Sequence, residues 1–354
     1  MTNRKIALLV AALVASLTIA CATGPNAGTG GSASPTASPV PSASTQPTAA
    51  PTASPTAAPE AAYLDDRSSA EQLIRSYYDA IGKRQYLRAY GYWEPSTTLA
   101  TYDVFAKGFA DTTAVQVELG TVGGSPGAGQ LYWSVPAAVF STTSGGAQNF
   151  VGCYTVHLAR PEIQAAPPFK PMAIQGGQVS AVASAAAARS GLASACGTAN
   201  AQPLPWAAGG TSIDAAQYID DRSVGEVVIR SLYNAVNRKE YTRAYGYWES
   251  GAAGLAPFEI FAAGYANTKS VTLLTKPGTT DAGAGQLYYS VPAVVTASNA
   301  DGSTTIFSGC YKLHLGSPNI QATPPFQPLG IQSARIAQAA SGSNPNDLLS
   351  SACP

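Results

Sequence analysis

The sequence predicts an α+β fold present twice in tandem, and three observations carry that expectation. Arg88-Ala89-Tyr90-Gly91-Tyr92-Trp93-Glu94 recurs letter for letter as Arg243-Ala244-Tyr245-Gly246-Tyr247-Trp248-Glu249. The flanking chain is doubled too. Tyr63-Leu64-Asp65-Asp66-Arg67 aligns with Tyr218-Ile219-Asp220-Asp221-Arg222, and the offset grows by one residue before Phe105 and Phe261 and by one more before Cys153 and Cys310. Within each copy the apolar period changes from that of helices to that of strands, so helices come first and strands follow. A period this long belongs to whole domains, because solenoid units run about 20–50 residues. The expected organisation is a signal peptide over 1–20, Cys21 and a disordered linker over 21–62, a first domain over 63–198, a linker over 199–217 and a second domain over 218–354. The Pro/Gly-rich stretch from Pro203 to Gly210 suggests that the copies fold as separate units.

The chain opens with positive charge at Asn3-Arg4-Lys5, followed by an uncharged apolar run from Ile6 to Ala20. That is the pattern of an export signal and short for a membrane span. The run ends in Thr18-Ile19-Ala20-Cys21, which resembles a bacterial lipobox with Leu17 one place early. The resemblance implies a lipid on Cys21 and a place on the outer face of a bacterial membrane; an ordinary secretory signal is the other reading. Residues 22–62 are Pro, Ala, Ser, Thr and Gly with almost no charge. Such a composition has nothing to bury, and its prolines favour an extended chain of about 3 Å per residue, on the order of 100 Å at full reach.

Each copy then begins with what reads as a capping box, Ser68-Ser69-Ala70-Glu71 and Ser223-Val224-Gly225-Glu226. Leu73, Ile74, Tyr77, Tyr78 and Ile81 follow at helical spacing, matched by Val228, Ile229, Leu232, Tyr233 and Val236. Gly82 and Asn237 suit a left-handed helix end. A short second helix carries Tyr86, Ala89, Tyr90 and Trp93 on one face, and a third carries Tyr102, Phe105 and Phe109, or Phe258, Phe261 and Tyr265. After Thr113 the period is two. Leu131, Trp133, Val135, Ala137 and Val139 alternate with a more polar set, with Pro136, like Pro292 in the twin, implying an edge or a bulge. In the next strand Gly152, Tyr154, Val156 and Leu158 share a face, opposite Cys153 and His157. A last strand follows Pro167-Pro168 or Pro324-Pro325.

The run Leu73-Ile74-Arg75-Ser76-Tyr77-Tyr78-Asp79-Ala80, a break, and then Tyr86-Leu87-Arg88-Ala89-Tyr90 resembles the opening of the nuclear-transport-factor-2-like superfamily, the cone-shaped fold shared by ketosteroid isomerase. The resemblance covers roughly 63–180 and 218–338 and implies helices packed on a bent antiparallel sheet. It implies no single activity, because that family includes enzymes, binding proteins and non-catalytic envelope modules.

Of five cysteines, Cys21 is the odd one. Cys153 and Cys196 have the same separation as Cys310 and Cys353, so an exported chain is expected to close one disulfide in each copy. Zinc is the runner-up and lacks ligands, with two cysteines and one histidine per copy.

Few residues suggest chemistry. His157 and His314 correspond, and as bases each would need an orienting acid; the expectation is a surface histidine with no shared carboxylate nearby. Asp65-Asp66 and Asp220-Asp221 read as charges set before a helix and paired with Arg67 and Arg222 rather than as metal ligands. Glu94 and Glu249 read as surface helix ends, or as bases if desolvated. Tyr90, Tyr92, Trp93, Tyr245, Tyr247 and Trp248 are candidate pocket-lining residues, or core. No phosphate loop, nucleophile elbow or metal-spaced histidine pair occurs, so neither a cofactor nor a metal is expected. Twenty basic residues against 20 acidic ones argue against nucleic acid. The first reading is therefore a lipid-anchored, non-catalytic envelope protein presenting two α+β modules to a cell-envelope component. The second is a carrier of a small apolar ligand, or an isomerase-like enzyme, using a cone pocket.

Overall fold

The computed structural model describes residues 63–354 apart from 97, 198–206 and 209. The expected leader, Cys21, the linker up to 62 and the first part of the linker over 199–217 lie outside the described residues. Leu73, Ile74, Tyr77, Tyr78 and Ile81 fall on one face of α1 (Ala70–Gly82), and all five are buried. Two short helices follow, α2 (Tyr86–Tyr90) and α3 (Tyr102–Lys107). The strands are β1 (Thr112–Leu119), β2 (Gly123–Pro126), β3 (Gln130–Thr143), β4 (Gly146–Ala159) and β5 (Ala173–Val182). They pair antiparallel in the order β1-β3-β4-β5, with β2 also on β3. Leu131, Trp133, Val135, Ala137 and Val139 on β3 meet Tyr154, Val156 and Leu158 on β4 and the buried face of α1 in one core. Helix α4 (Ala185–Gly191) covers the other face of the sheet, pinned by the bidentate Arg189–Glu118 pair to β1.

The second copy repeats this order. A two-residue pair, β6 (Ala207–Ala208) with β7 (Gln217–Tyr218), leads to α5 (Gly225–Asn237) and α6 (Tyr241–Tyr245). Then come β8 (Trp248–Ala253), α7 (Phe258–Ala263), β9 (Thr268–Thr275), β10 (Thr279–Gly283), β11 (Gln286–Asn299), β12 (Thr304–Gly316), β13 (Gly330–Gln338) and α8 (Pro345–Ser351). The sheet order is β10-β11-β12-β13-β8, with β9 also on β11, and β8 is parallel to β13. The fold is thus mixed α+β, with antiparallel pairing dominant and a second core around Val228, Ile229, Leu232, Tyr311 and Leu313. Among the described residues no helix is long and apolar enough to cross a membrane.

Three local expectations are corrected. Pro136 lies in neither an edge strand nor a bulge. The β3–β4 register runs unbroken from Gln130 to Thr143, while on the other side of β3 the partner changes, β2 pairing up to Ser134 and β1 from Ala137. The proline sits at that handover, where no neighbouring carbonyl asks for its missing N–H. Pro292 does the same between β10 and β9. Second, the helix ends are later than expected. Gly82 and Asn237 are helical, and the left-handed residues are Arg84 and Lys239. Asn237 instead bonds the Ile213 and Val271 carbonyls and the Val271 amide. Third, the capping boxes do not form. Ser69 caps α1 through the Gln72 amide, and Val224 caps α5 without a side-chain bond.

Ser68 and Ser223 are used elsewhere, where the two copies meet. Ser223 Oγ accepts from the Asp65 amide and Ser68 Oγ from the Asp220 amide, both at 2.9 Å. Between them the Arg67 amide donates to the Asp220 carbonyl and the Arg222 amide to the Asp65 carbonyl, both at 2.7 Å. The contact is reciprocal, as in an isologous dimer interface. The repeated heptapeptide belongs to it. A Cβ on Gly91 would stand 3.4 Å from Phe326 Cβ, and one on Gly246 would stand 3.4 Å from Phe169 Cβ, so each copy lays a phenylalanine on the glycine of the other. Tyr218 is buried in the first core, and Tyr63 packs against the second. The described part of the expected linker is tied down too, with the Ile213, Asp214 and Gln217 carbonyls accepting from Asn234.

Candidate functional site

Each copy buries an arginine of the heptapeptide. Arg88 donates to the Leu64 carbonyl at 2.5 Å and to Asp79 at 2.6 Å, with Tyr63 beneath its guanidinium. Arg243 donates to the Ile219 carbonyl at 2.5 Å and to Glu240 at 2.6 Å, over Tyr218. Tyr92 and Tyr247, expected as pocket-lining or core, are fully buried and donate to Asp65 and Asp220 at 2.9 Å. Tyr90 and Tyr245 turn toward the third helix of their copies, bonding the Ala100 and Ala256 carbonyls and packing on Phe105 and Phe261.

Trp93 and Trp248 lie past the short helix on extended backbone beside the last strand, Trp93 opposite Ile174 and Trp248 opposite Ile331. Trp93 stands edge-on to Tyr77 and Tyr154, and Trp248 to Tyr311. Behind them the Tyr78 and Tyr154 hydroxyls meet at 2.5 Å, as do those of Tyr233 and Tyr311. Burial raises the pKa of all four phenols, Tyr154 to about 12, which keeps them neutral as hydrogen-bonding partners. The interior beneath each sheet is thus lined by the chain's own rings.

The other face of the sheet holds a constellation that sequence reasoning dismissed. His157 Nδ1 lies 2.5 Å from Glu94 Oε1, and its Nε2 lies 2.7 Å from Gln130 Oε1. In the second copy His314 stands 2.8 Å from Glu249 and 2.6 Å from Gln286. Tyr132 and Tyr288, directly opposite the histidines in register, stack on the imidazoles at 4.8 and 4.9 Å. The expectation that no carboxylate accompanies the histidine in both copies is therefore wrong. Glu94 and Glu249 are that carboxylate, brought in by the extended tail of the heptapeptide alongside β5 or β13. The signal was available: Gln130, Tyr132, Glu94 and His157 all recur, and residues that recur together are candidates to touch.

The chemistry is constrained by those contacts. Both nitrogens of each ring lie within hydrogen-bond distance of a side-chain oxygen of the protein, so each imidazole is engaged on both sides by its own copy. The set is partly exposed, and large apolar side chains gather beside it. Ile163 lies against Gly129, just before Gln130, and Ile320 against Gly285, just before Gln286. They are 55% and 54% exposed, and Tyr288 is 37% exposed.

The four paired cysteines are consumed as disulfides, Cys153–Cys196 and Cys310–Cys353, which fasten the tails bearing α4 and α8 onto β4 and β12. Among the described residues no His, Cys, Asp and Glu cluster is arranged as a metal site. Set against known proteins, the chain matches no family model and no curated sequence.

Proposed function

We propose that the protein is a lipid-anchored, non-catalytic envelope protein that presents two α+β modules for interaction with another envelope component. Each module is, in this reading, a cone-like domain similar to the nuclear-transport-factor-2-like kind. The observation that carries the non-catalytic part is the saturation of His157 and His314: both nitrogens of each ring are engaged, and the aromatic interior behind the sheet is filled by Tyr78, Tyr154 and Trp93 or their counterparts. Support for interaction comes from the exposed Ile163 and Ile320, which correspond in the two copies, and from Tyr288 beside Ile320 in the second, since apolar side chains grouped on a surface mark contact sites. Support for the anchor comes from the apolar run ending at Cys21 and from disulfides, which persist in oxidising compartments.

The test has two arms. Cys21→Ser should move the protein from the membrane to the soluble fraction; retention on the membrane overturns the anchor. A photo-crosslinking residue at Tyr288 should trap an envelope component, and Ile163→Asp with Ile320→Asp should abolish the crosslink while leaving the melting curve unchanged. A crosslink indifferent to both substitutions overturns the interaction surface.

A further inference from the structure

Asp66 and Asp221 face one another where the copies meet. They are partners in an antiparallel bridge. The flanking bonds, Arg67 N–H to the Asp220 carbonyl and Arg222 N–H to the Asp65 carbonyl, make 66 and 221 the closely spaced, non-hydrogen-bonded kind of pair. Opposed Cβ atoms in such a pair stand about 4.5–5.5 Å apart, and like charges there repel. Each carboxylate already uses one oxygen to accept the amide two residues on, Ser68 or Ser223, at 2.8 Å.

The cations nearby are committed elsewhere. Arg67 donates to the Met172 and Gly91 carbonyls and lies over Tyr92; Arg222 donates to the Leu329 and Gly246 carbonyls and lies over Tyr247. Arg88 and Arg243 point at Leu64 and Ile219 and at acids of their own copies. From α1 and α5 the groups that meet the pair are the uncharged hydroxyls of Ser76 and Ser231, bonded to the backbone of 66 and 221. On either side stand Asp65 and Asp220, which add negative charge; Asp65 is bonded by Tyr63 and Tyr92 and lies 3.8 Å from Arg67 Nε, and Asp220 is bonded by Tyr218 and Tyr247.

We propose that Asp66 and Asp221 hold a proton between them and make the junction of the two copies a pH-operated latch, closed while the proton is bound and loosened once both are ionised. Burial, and then the charge of Asp66, push Asp221 up to about 7, and burial raises Asp66 as well. A carboxyl that binds its proton more tightly in the joined form than in the unfolded chain stabilises the join fully below its ordinary pKa. That contribution falls as pH rises from the ordinary carboxyl range and is lost through about 7 for Asp221, so the junction is tighter in acid medium than at neutral pH. The inference does not depend on the anchor or on any partner.

The experiment is amide hydrogen exchange on the detergent-solubilised full chain across this pH range, corrected for intrinsic rates. The Arg67 and Arg222 amides report the junction, and the Ile174 amide, bonded to the Tyr92 carbonyl within the first copy, is the control. Opening at Arg67 and Arg222 should rise with pH by up to about tenfold per unit, the limit set by one proton, and should level off once both acids are ionised. Ile174 should stay flat. Both Asp66→Asn and Asp221→Asn keep the oxygen that accepts the serine amide; Asp221→Asn should flatten the slope, and Asp66→Asn, which removes the neighbouring charge but not the burial of Asp221, should move its midpoint to lower pH. An infrared band from a protonated carboxyl, present in the wild type at mildly acid pH and absent from Asp221→Asn, should accompany it. A flat profile in the wild type, an unchanged slope in Asp221→Asn, or absence of the band from the wild type would each overturn the latch. The wild-type measurements decide the matter even if a variant folds poorly.

Discussion

Arg88 and Arg243 occupy the same place in the two copies, yet they draw their carboxylate from different elements. In the first copy the acid is Asp79 on α1, which bridges Arg88 and Lys83, while Gln85 stands before α2. In the second the α1 position is Asn234, and the acid is Glu240 before α6, bridging Arg243 and Arg238. What stays fixed is the guanidinium, the carbonyl it meets and the tyrosine beneath it. The difference shows that this buried corner needs one carboxylate shared by two cations and accepts it from either side. The second arrangement is also drier: Asp79 is 22% exposed at its side chain and Glu240 is 0% exposed.

That comparison can be broken most sharply at the drier copy. Glu240→Gln leaves Arg243 buried without an acid and should cost about 3–5 kcal/mol, whereas Asp79→Asn, nearer water, should cost about 1–3 kcal/mol. Adding Asn234→Asp to Glu240→Gln returns a carboxylate to Arg243 from the first copy's position and should recover part of the loss, reduced by the bonds that Asn234 donates to the Ile213, Asp214 and Gln217 carbonyls. Urea unfolding of the four proteins decides it; equal losses, or no recovery, would show that the two corners are not interchangeable.

The disulfides should be nearly equal between copies, since each joins cysteines 43 residues apart. Replacing either pair by serine should cost about 2–4 kcal/mol, read as matching shifts in melting temperature. A gap wider than about 1 kcal/mol would mean that the tail helices, not loop closure, carry the difference. Tyr78→Phe and Tyr233→Phe each remove one hydroxyl of a buried pair and should each cost about 1 kcal/mol, with calorimetry as the check. The smallest effect concerns a strand that differs between the copies. In the second copy the chain after Trp248 continues along β13 as β8, while in the first Pro95 follows Glu94 and only the Trp93–Ile174 bridge forms. Pro95→Ser should change stability by less than about 0.5 kcal/mol but should add protected amides beside β5. Unchanged exchange there would place the cause outside the proline.

Periodicity made the helices and long strands legible, because the residues that set it are the ones that pack: Leu73 to Ile81 on α1, and Leu131 to Val139 on β3. The disulfides were legible from the doubled spacing. The serines were misread because Ser-x-x-Glu before an apolar run is a local pattern, and a local pattern carries no information about a partner more than 150 residues away, such as Asp220 for Ser68. The handover at Pro136 was invisible for a related reason, since it depends on where two other strands stop. Glu94 and His157 were read separately, one as a helix end and one as a surface residue, and both descriptions are compatible with the contact that joins them. Only the register that sets Gln130 and Tyr132 around the imidazole turns four scattered letters into a site.

The pairing of 65–68 with 220–223 has a mechanical consequence. Tension arriving along the chain from its N-terminal side reaches the fold at Tyr63 and Leu64, whose ring and carbonyl are gripped by Arg88. The next residues are already bonded to the other copy at Ser223, Asp220 and Arg222. A pull therefore loads both halves from the first few residues, and neither half has to transmit it to the other through its sheet. Drag on the molecule is borne by a short clamp of buried arginine, tyrosine and backbone amides, and failure under force should begin there rather than in either core.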